Sequence, residues 1–180
     1  MRALTEEENK IVFEKLTKFI GKNLVNLVGN EHDPHVFRIN KERVYYVSAR
    51  VCKYAGCVPK KQLISLGTCL GKFSKTKKFN LKITCLRWLS LYAINKIWLK
   101  PAGEQVFLYG NHVVKRHLAK VTENTSKNVG VIILSMNDIP LGFGVTSRST
   151  NEMRLADNEA VVAFHQGDIG EYLRDECDLL

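Results

Sequence analysis

The sequence predicts a mixed α/β (α+β) protein of two domains, and three observations carry that prediction. Helical spacing of apolar residues opens the chain, short β-type runs recur from Val36 to Phe164, and the composition shifts near Asn95. The expected division is a domain over residues 1–94 and a second over 95–180. With 45% hydrophobic and 25% charged residues, a chain of 180 can bury a core.

Thr5 followed by Glu8 is a capping-box pattern that starts a helix. Val12, Leu16, Phe19, Ile20, Leu24 and Leu27 then recur at three- and four-residue steps, with a break expected near Gly21. "GNEHDPH" reads as a turn, and "VFRI" and "RVYYV" as an antiparallel hairpin. "SARVCKYAG" reads as a short helix between Ser48 and Gly56.

"LISLGTCLGKFSKTKKFNLKIT" reads as a strand, a glycine-rich turn, a basic turn and a second strand. "CLRWLSLYAI" predicts a helix, and "KIWLKP" a strand ending at Pro101. "AGEQVFLYGNHVVKRHLAKV" predicts a turn, a short strand and a helix, and "VGVIILS", "LGFGVTS" and "AVVAF" are strands. Large aromatics such as Trp88, Tyr92 and Trp98 are expected in the core or between domains.

The charge is unevenly placed. Residues 1–40 carry six basic and six acidic side chains, residues 41–128 eighteen and three, and residues 129–180 three and nine. A basic block of that size suggests a polyanionic partner, because neutralising phosphates releases counterions.

No apolar run approaches the roughly 18 to 20 residues that span a bilayer. "MRALTEEENK" has neither a secretory nor a transit bias, so a soluble intracellular chain is expected. The five cysteines form no C-x-x-C pair, and free thiols are the expectation; Cys52 and Cys57 with His32 and His35 make a poor zinc pattern.

Catalytic motifs are missing. "GTCLGKFS" approaches a phosphate-binding loop, but its glycines are one residue too close, and Phe73 stands where a metal-binding hydroxyl belongs. Asp168 and Glu171 could share a helix face, but so many neighbouring acids read as a solvated acidic tail. No catalytic residue, cofactor or metal site is expected.

The candidate contacts are therefore cationic. In "GNHVVKRHLAKV" a helix would bury Val114, Leu118 and Val121 and expose Arg116 and Lys120 on one face, with Lys115 close by. Asn124, Thr125 and Ser126 would add hydrogen-bonding groups, and Tyr109 is the aromatic best placed to stack on a base. A second basic contact comes from Lys72, Lys75, Lys77 and Lys78. Within "IPLGFGVTSRS", Gly142 and Gly144 leave one strand face nearly bare until Arg148. Strand glycines usually mark close backbone approach, by another piece of the protein or by a ligand.

"SLGTCLGKFSKTKKF", "EQVFLYGNHVVK", "TENTS", "SMNDIPLGFGV" and "FHQGDIGEY", in that order, closely resemble the Nip-seven family of ribosome-biogenesis factors. The resemblance implies an N-terminal α/β domain, an antiparallel sheet with flanking helices, and a C-terminal PUA β-pseudobarrel that binds RNA. In that barrel the protein itself would fill the bare face at Gly142 and Gly144, and RNA would meet the rim at Arg148 and Arg154. It implies a non-enzymatic role in pre-rRNA processing and large-subunit assembly in the nucleolus of the nucleus. It also implies pre-ribosomal partners: pre-ribosomal RNA, a NOL-eight nucleolar protein and an FtsJ-type RNA methyltransferase. Some family members concentrate cations after the glycine strand, where this chain has only Arg148 and Arg154. A monomer is expected, and that thinning keeps a rival reading open, a protein–protein adaptor within pre-ribosomes whose PUA domain binds RNA weakly or not at all.

Overall fold

Thr5 starts the first helix through both halves of its capping box. Its hydroxyl accepts from the Glu8 amide at 3.3 Å, and its own amide donates to Glu8 Oε2 at 2.9 Å. In this computed structural model, residues 1–29, 34–59 and 61–176 are described. The turn expected at 29–35 falls partly outside them, and His32 and Cys177 wholly so. Helix α1 (Glu6–Ile20) buries Val12, Leu16, Phe19 and Ile20, and it stops at Gly21, whose φ of +53° suits glycine. A single 3-10 turn leads into α2 (Leu24–Val28).

The first sheet is an antiparallel meander in which each strand pairs with the next. It runs through β1 (Arg2–Ala3), β2 (His35–Asn40), β3 (Arg43–Ser48), β4 (Thr68–Phe73) and β5 (Phe79–Leu81). Strand alternation sends Val44 and Tyr46 of β3 into the core beside Ile39, Leu70 and Leu81, and turns Arg43 and Tyr45 to the other face. Helix α3 (Ala49–Ala55) follows β3, bounded by Ser48 and Gly56 as predicted, and α4 (Leu86–Tyr92) follows β5.

The second sheet has a shuffled order. Its strands are β6 (Lys96–Leu99), β7 (Val113–Val114), β8 (Leu118–Val121), β9 (Gly130–Leu134), β10 (Pro140–Thr146) and β11 (Val161–Asp168). They lie in the order β7-β11-β10-β9-β6-β8, with β6 and β9 parallel and the other neighbours antiparallel, which gives a nearly closed, barrel-like sheet. Helices α5 (Pro101–Leu108), α6 (Thr150–Leu155) and α7 (Glu171–Arg174) cap it. Mixed α/β architecture with this barrel-like sheet matches the predicted fold class.

One apolar cluster joins the two sheets. Phe19 meets Phe143 edge-to-face at 5.7 Å, and its ring covers the space where Gly130 would carry a Cβ. Ile132, Leu134 and Phe143 of the second sheet belong to the same cluster as α1 and the first sheet; Trp88, Tyr92 and Trp98 pack half-buried around it. A smaller cluster of Ile97, Leu99, Phe107, Ile133, Met153 and Val162 fills the second sheet.

The bare face of β10 is filled by the protein, as expected. A Cβ on Gly142 would overlap the Gly167 carbonyl oxygen, and one on Gly144 the Phe164 carbonyl oxygen. The pairing with β11 slips by one residue between Phe143 and Gly144, so a bulge accompanies the close approach.

Three expectations change. "GTCLG" is not a turn: β4 runs through Gly71, where a side chain would strike the Phe79 ring and the Asn80 carbonyl, and "LISL" is irregular. The helix expected at 111–121 is absent. β-Branched Val113 and Val114 pair with Ala163 and Val161 on β11, while the helix is upstream, with Pro101 in its first turn and Gly110 just past its end at φ +84°. Finally, Asp168 and Glu171 do not form a solvated tail, because Asp168 is fully buried.

Candidate nucleic-acid interface

Without the helix, its cations disperse. Lys115 and Arg116 sit in a 3-10 turn and Lys120 on β8. Lys115 Nζ donates to the Met153 carbonyl at 2.6 Å, and Arg116 Nη1 pairs with Glu159 Oε1 at 2.6 Å. Lys120 Nζ lies 4.8 Å from the Trp98 ring centre, and the Trp98 indole donates to Asp138 Oδ1 at 2.7 Å. All three are engaged by the protein, though the exposed Arg116–Glu159 pair is displaceable, since such pairs contribute about 0–1 kcal/mol.

Neighbouring candidates divide similarly. Tyr109 ends α5 rather than leading into a helix, and it is 71% exposed. Asn124 is exposed in a left-handed turn at φ +55°. Thr125 is buried, its hydroxyl donating to the Thr122 carbonyl at 2.8 Å.

Arg148 does emerge at the rim of the barrel-like sheet. It borders a shallow hollow of about 350 Å³ with Lys127, Ser147, Glu152 and Phe164. Ser149 caps α6 by the same box as Thr5, and this backbone hydrogen bond holds the Glu152 carboxyl below its ordinary pKa, with Lys127 and Arg148 helping. Arg154 is exposed in the last turn of α6, a helix and not the expected loop; the spacing of Ser149 and Glu152 signalled it. Phe164 is 45% exposed, and the His112 ring stands nearly perpendicular to it with centroids 5.4 Å apart. Lys127 and Phe164 went unnoticed in the sequence because segments far from Arg148 in the chain supply them.

The second basic contact stays together. Ser74 donates its amide to the Lys78 carbonyl at 2.8 Å, and its hydroxyl accepts from the Lys78 amide at 3.1 Å. That tight hairpin turn exposes Lys75, Lys77 and Lys78, with Lys77 held at φ +58°. Lys72 precedes the turn on β4 and lies 3.5 Å from Glu42.

Below the rim, Asp168 is saturated by its neighbours. His165 Nε2 lies 2.6 Å and Arg174 Nη2 2.7 Å from Oδ2, while the Gly170 amide donates to Oδ1 at 2.7 Å. Glu171 completes a cluster of three donor groups within 4.8 Å, and burial raises its pKa. Arg174 also donates to the Leu108 carbonyl, so this cluster ties α7 to α5 and β11.

Comparison with known proteins matches this geometry to a family. Residues 1–83 match the NIP7/UPF0113 pre-PUA domain model, and residues 95–177 the UPF0113 PUA domain model. The chain is 57% identical to the Schizosaccharomyces pombe 60S ribosome subunit biogenesis protein nip7 over 179 residues, covering 99% of each chain. It is 56% identical to the Saccharomyces cerevisiae protein of that name, again over 99% of each chain. Among solved structures, it resembles a PUA-domain protein from Aeropyrum pernix with a TM-score of 0.63 at 11% identity, covering 99% of this chain and 90% of that one. A hypothetical protein from Pyrococcus horikoshii gives 0.61 at 12% identity, covering 96% of each.

Proposed function

The chain belongs to the NIP7 family, and on that premise we propose that it is an RNA-binding factor in biogenesis of the large, 60S, ribosomal subunit. The observation that carries this reading is similarity to proteins named for that process over 99% of both chains. The reaction class is none: the protein acts by binding, in pre-rRNA processing, within the nucleolus. Its partners are pre-ribosomal RNA and pre-ribosomal proteins, including a NOL-eight nucleolar protein and an FtsJ-type methyltransferase.

RNA is held by cations on both halves. Lys75, Lys77 and Lys78 carry exposed ammonium groups close together on one turn, which suits phosphate contacts. At the rim, Arg148 and Lys127 meet phosphates while exposed Phe164 offers a ring face to an unpaired base. Arg154 and Tyr109 extend that contact. Lys115, Arg116, Lys120 and Asn124 contribute less: Lys115 and Lys120 are held by protein groups, and Arg116 must first give up its displaceable pair with Glu159.

Crosslinking the tagged protein to RNA in cells tests the reading. Sequenced fragments should concentrate in large-subunit pre-ribosomal RNA, and the crosslinked peptides should include the lysine turn and the rim. A protein that sediments with pre-ribosomes but yields no crosslinks would be an adaptor held there by other proteins.

A further inference from the structure

The first sheet carries a second cationic feature on the face turned away from the core. Its β2–β3 hairpin turns through Lys41 and Glu42, with Asn40 opposite Arg43. Lys41 sits at φ +56°, where two-residue hairpins favour glycine, asparagine or aspartate. A lysine in that strained position is the kind of outlier that clusters at binding sites. Facing this turn, Lys61, Leu63 and Ile64 complete a groove of about 580 Å³ with Arg43 and Lys72. That volume lies within the range of ligand-binding clefts.

Charge in the groove is poorly compensated. Among the described residues, no carboxylate lies within ion-pair distance of Lys41, Arg43 or Lys61. Glu42 reaches Lys72 at 3.5 Å, with both side chains about half exposed (52% and 48%), so an arriving phosphate can displace it. Ile64 is 73% exposed beside these cations.

We propose that this groove seats a single-stranded RNA segment, with phosphates on Lys41, Arg43, Lys61 and Lys72 and an unpaired base or sugar against Leu63 and Ile64. The inference rests on the RNA-binding reading and adds a site to it. Continuity identifies a polymer as the occupant. Lys41 shares an adjoining hollow with Lys77, and Lys72 shares another with Lys75 and Lys82, so a strip of cations, interspersed with Glu7, Glu8, Glu42, Glu171 and Asp175, leads from the groove toward the lysine turn. A small anion would fill one station of that strip; a chain of phosphates fills them in sequence. The apolar wall selects a single strand, because a duplex presents its phosphates outward and keeps its base faces stacked away.

The test uses the full chain and a labelled, mixed-sequence single-stranded RNA of roughly sixteen nucleotides, titrated at several salt concentrations. Lys41→Gln with Lys61→Gln should flatten the slope of log K against log salt by about 1.4, at about 0.7 for each phosphate no longer neutralised. Ile64→Ser should weaken binding with no change in slope. Circular dichroism of each variant should match the parent, since these side chains are exposed. A wild-type slope in the double variant, alongside a reduced slope in Lys127→Gln with Arg148→Gln, would overturn the groove and leave RNA binding at the rim. No RNA binding by the parent chain would overturn both readings. Displacement of RNA by inorganic phosphate, where chloride at equal ionic strength has no effect, would make the groove a small-anion site and sink the proposal.

Discussion

The two halves of this molecule use their cations differently. In the second half, Lys115 is bound to the Met153 carbonyl, Arg116 to Glu159, Arg174 to Asp168, and Lys120 lies over Trp98. In the first, Lys75, Lys77 and Lys78 stand exposed on a hairpin turn. The sheets differ in the same sense. A meander of neighbouring strands leaves its turns at an edge, whereas a shuffled sheet with a parallel β6–β9 pair needs long connections. Lys115 and Arg116, between β7 and β8, are tied to other parts of that half, whereas Lys127, Arg148 and Arg154 on its longer connections stay exposed. A basic residue in a sequence is therefore a candidate ligand only if the topology leaves it unemployed.

The halves nevertheless share one core, and breaking it is the largest effect expected. Phe19→Ala removes the ring that lies between α1, Phe143 and Gly130. It should cost about 3–5 kcal/mol in urea unfolding, as for large-to-small changes in packed cores. Two separate transitions in that variant would mean the halves are independently stable and the shared core is dispensable. Gly142→Ala tests the second half alone. Its new methyl meets the Gly167 carbonyl, and a loss of about 1–3 kcal/mol is expected from thermal unfolding.

The contrast in cations is sharpened by paired variants read in RNA titrations. Changing Lys75, Lys77 and Lys78 together to Gln should flatten the salt slope by about 2, at about 0.7 for each phosphate no longer neutralised. Lys115→Gln with Arg116→Gln should flatten it by less than a single phosphate would. Equal slopes in the two variants would erase the difference between the halves.

The smallest effect concerns Arg2 and Glu8. The Arg2 guanidinium donates to both Glu8 oxygens at 2.7 Å and holds that carboxyl at about 2, below its ordinary 4.5. A depressed carboxylate pKa contributes stability that is present above the unfolded value and lost as pH falls through the folded one. Arg2→Ala should therefore be slightly less stable at neutral pH, and the gap should close between pH 4.5 and about 2. A gap that stays constant through acid unfolding would show that the pair has no part in it.

Much of the fold was legible in the residues because local rules act within a few positions. Thr5 and Glu8 announced α1, Gly21 its end, and the alternation in "RVYYV" its strand. The strand glycines correctly announced close backbone approach. Local rules failed where two were in conflict. The 111–121 segment has a helical spacing of apolar residues, but its paired valines had a partner strand waiting on β11, some fifty residues later.

By itself, the sequence determined the fold class, the main elements and a basic middle with an acidic end. Those depend on side-chain periodicity and composition, which are properties of neighbours along the chain. The tertiary structure alone decided which cations remain available. It buried Asp168 among His165, Arg174 and Gly170, and it gathered Lys127 and Phe164 beside Arg148. It also brought Lys61 across from Lys41. A charge acts through distance in space, and only the closing of the two sheets sets that distance.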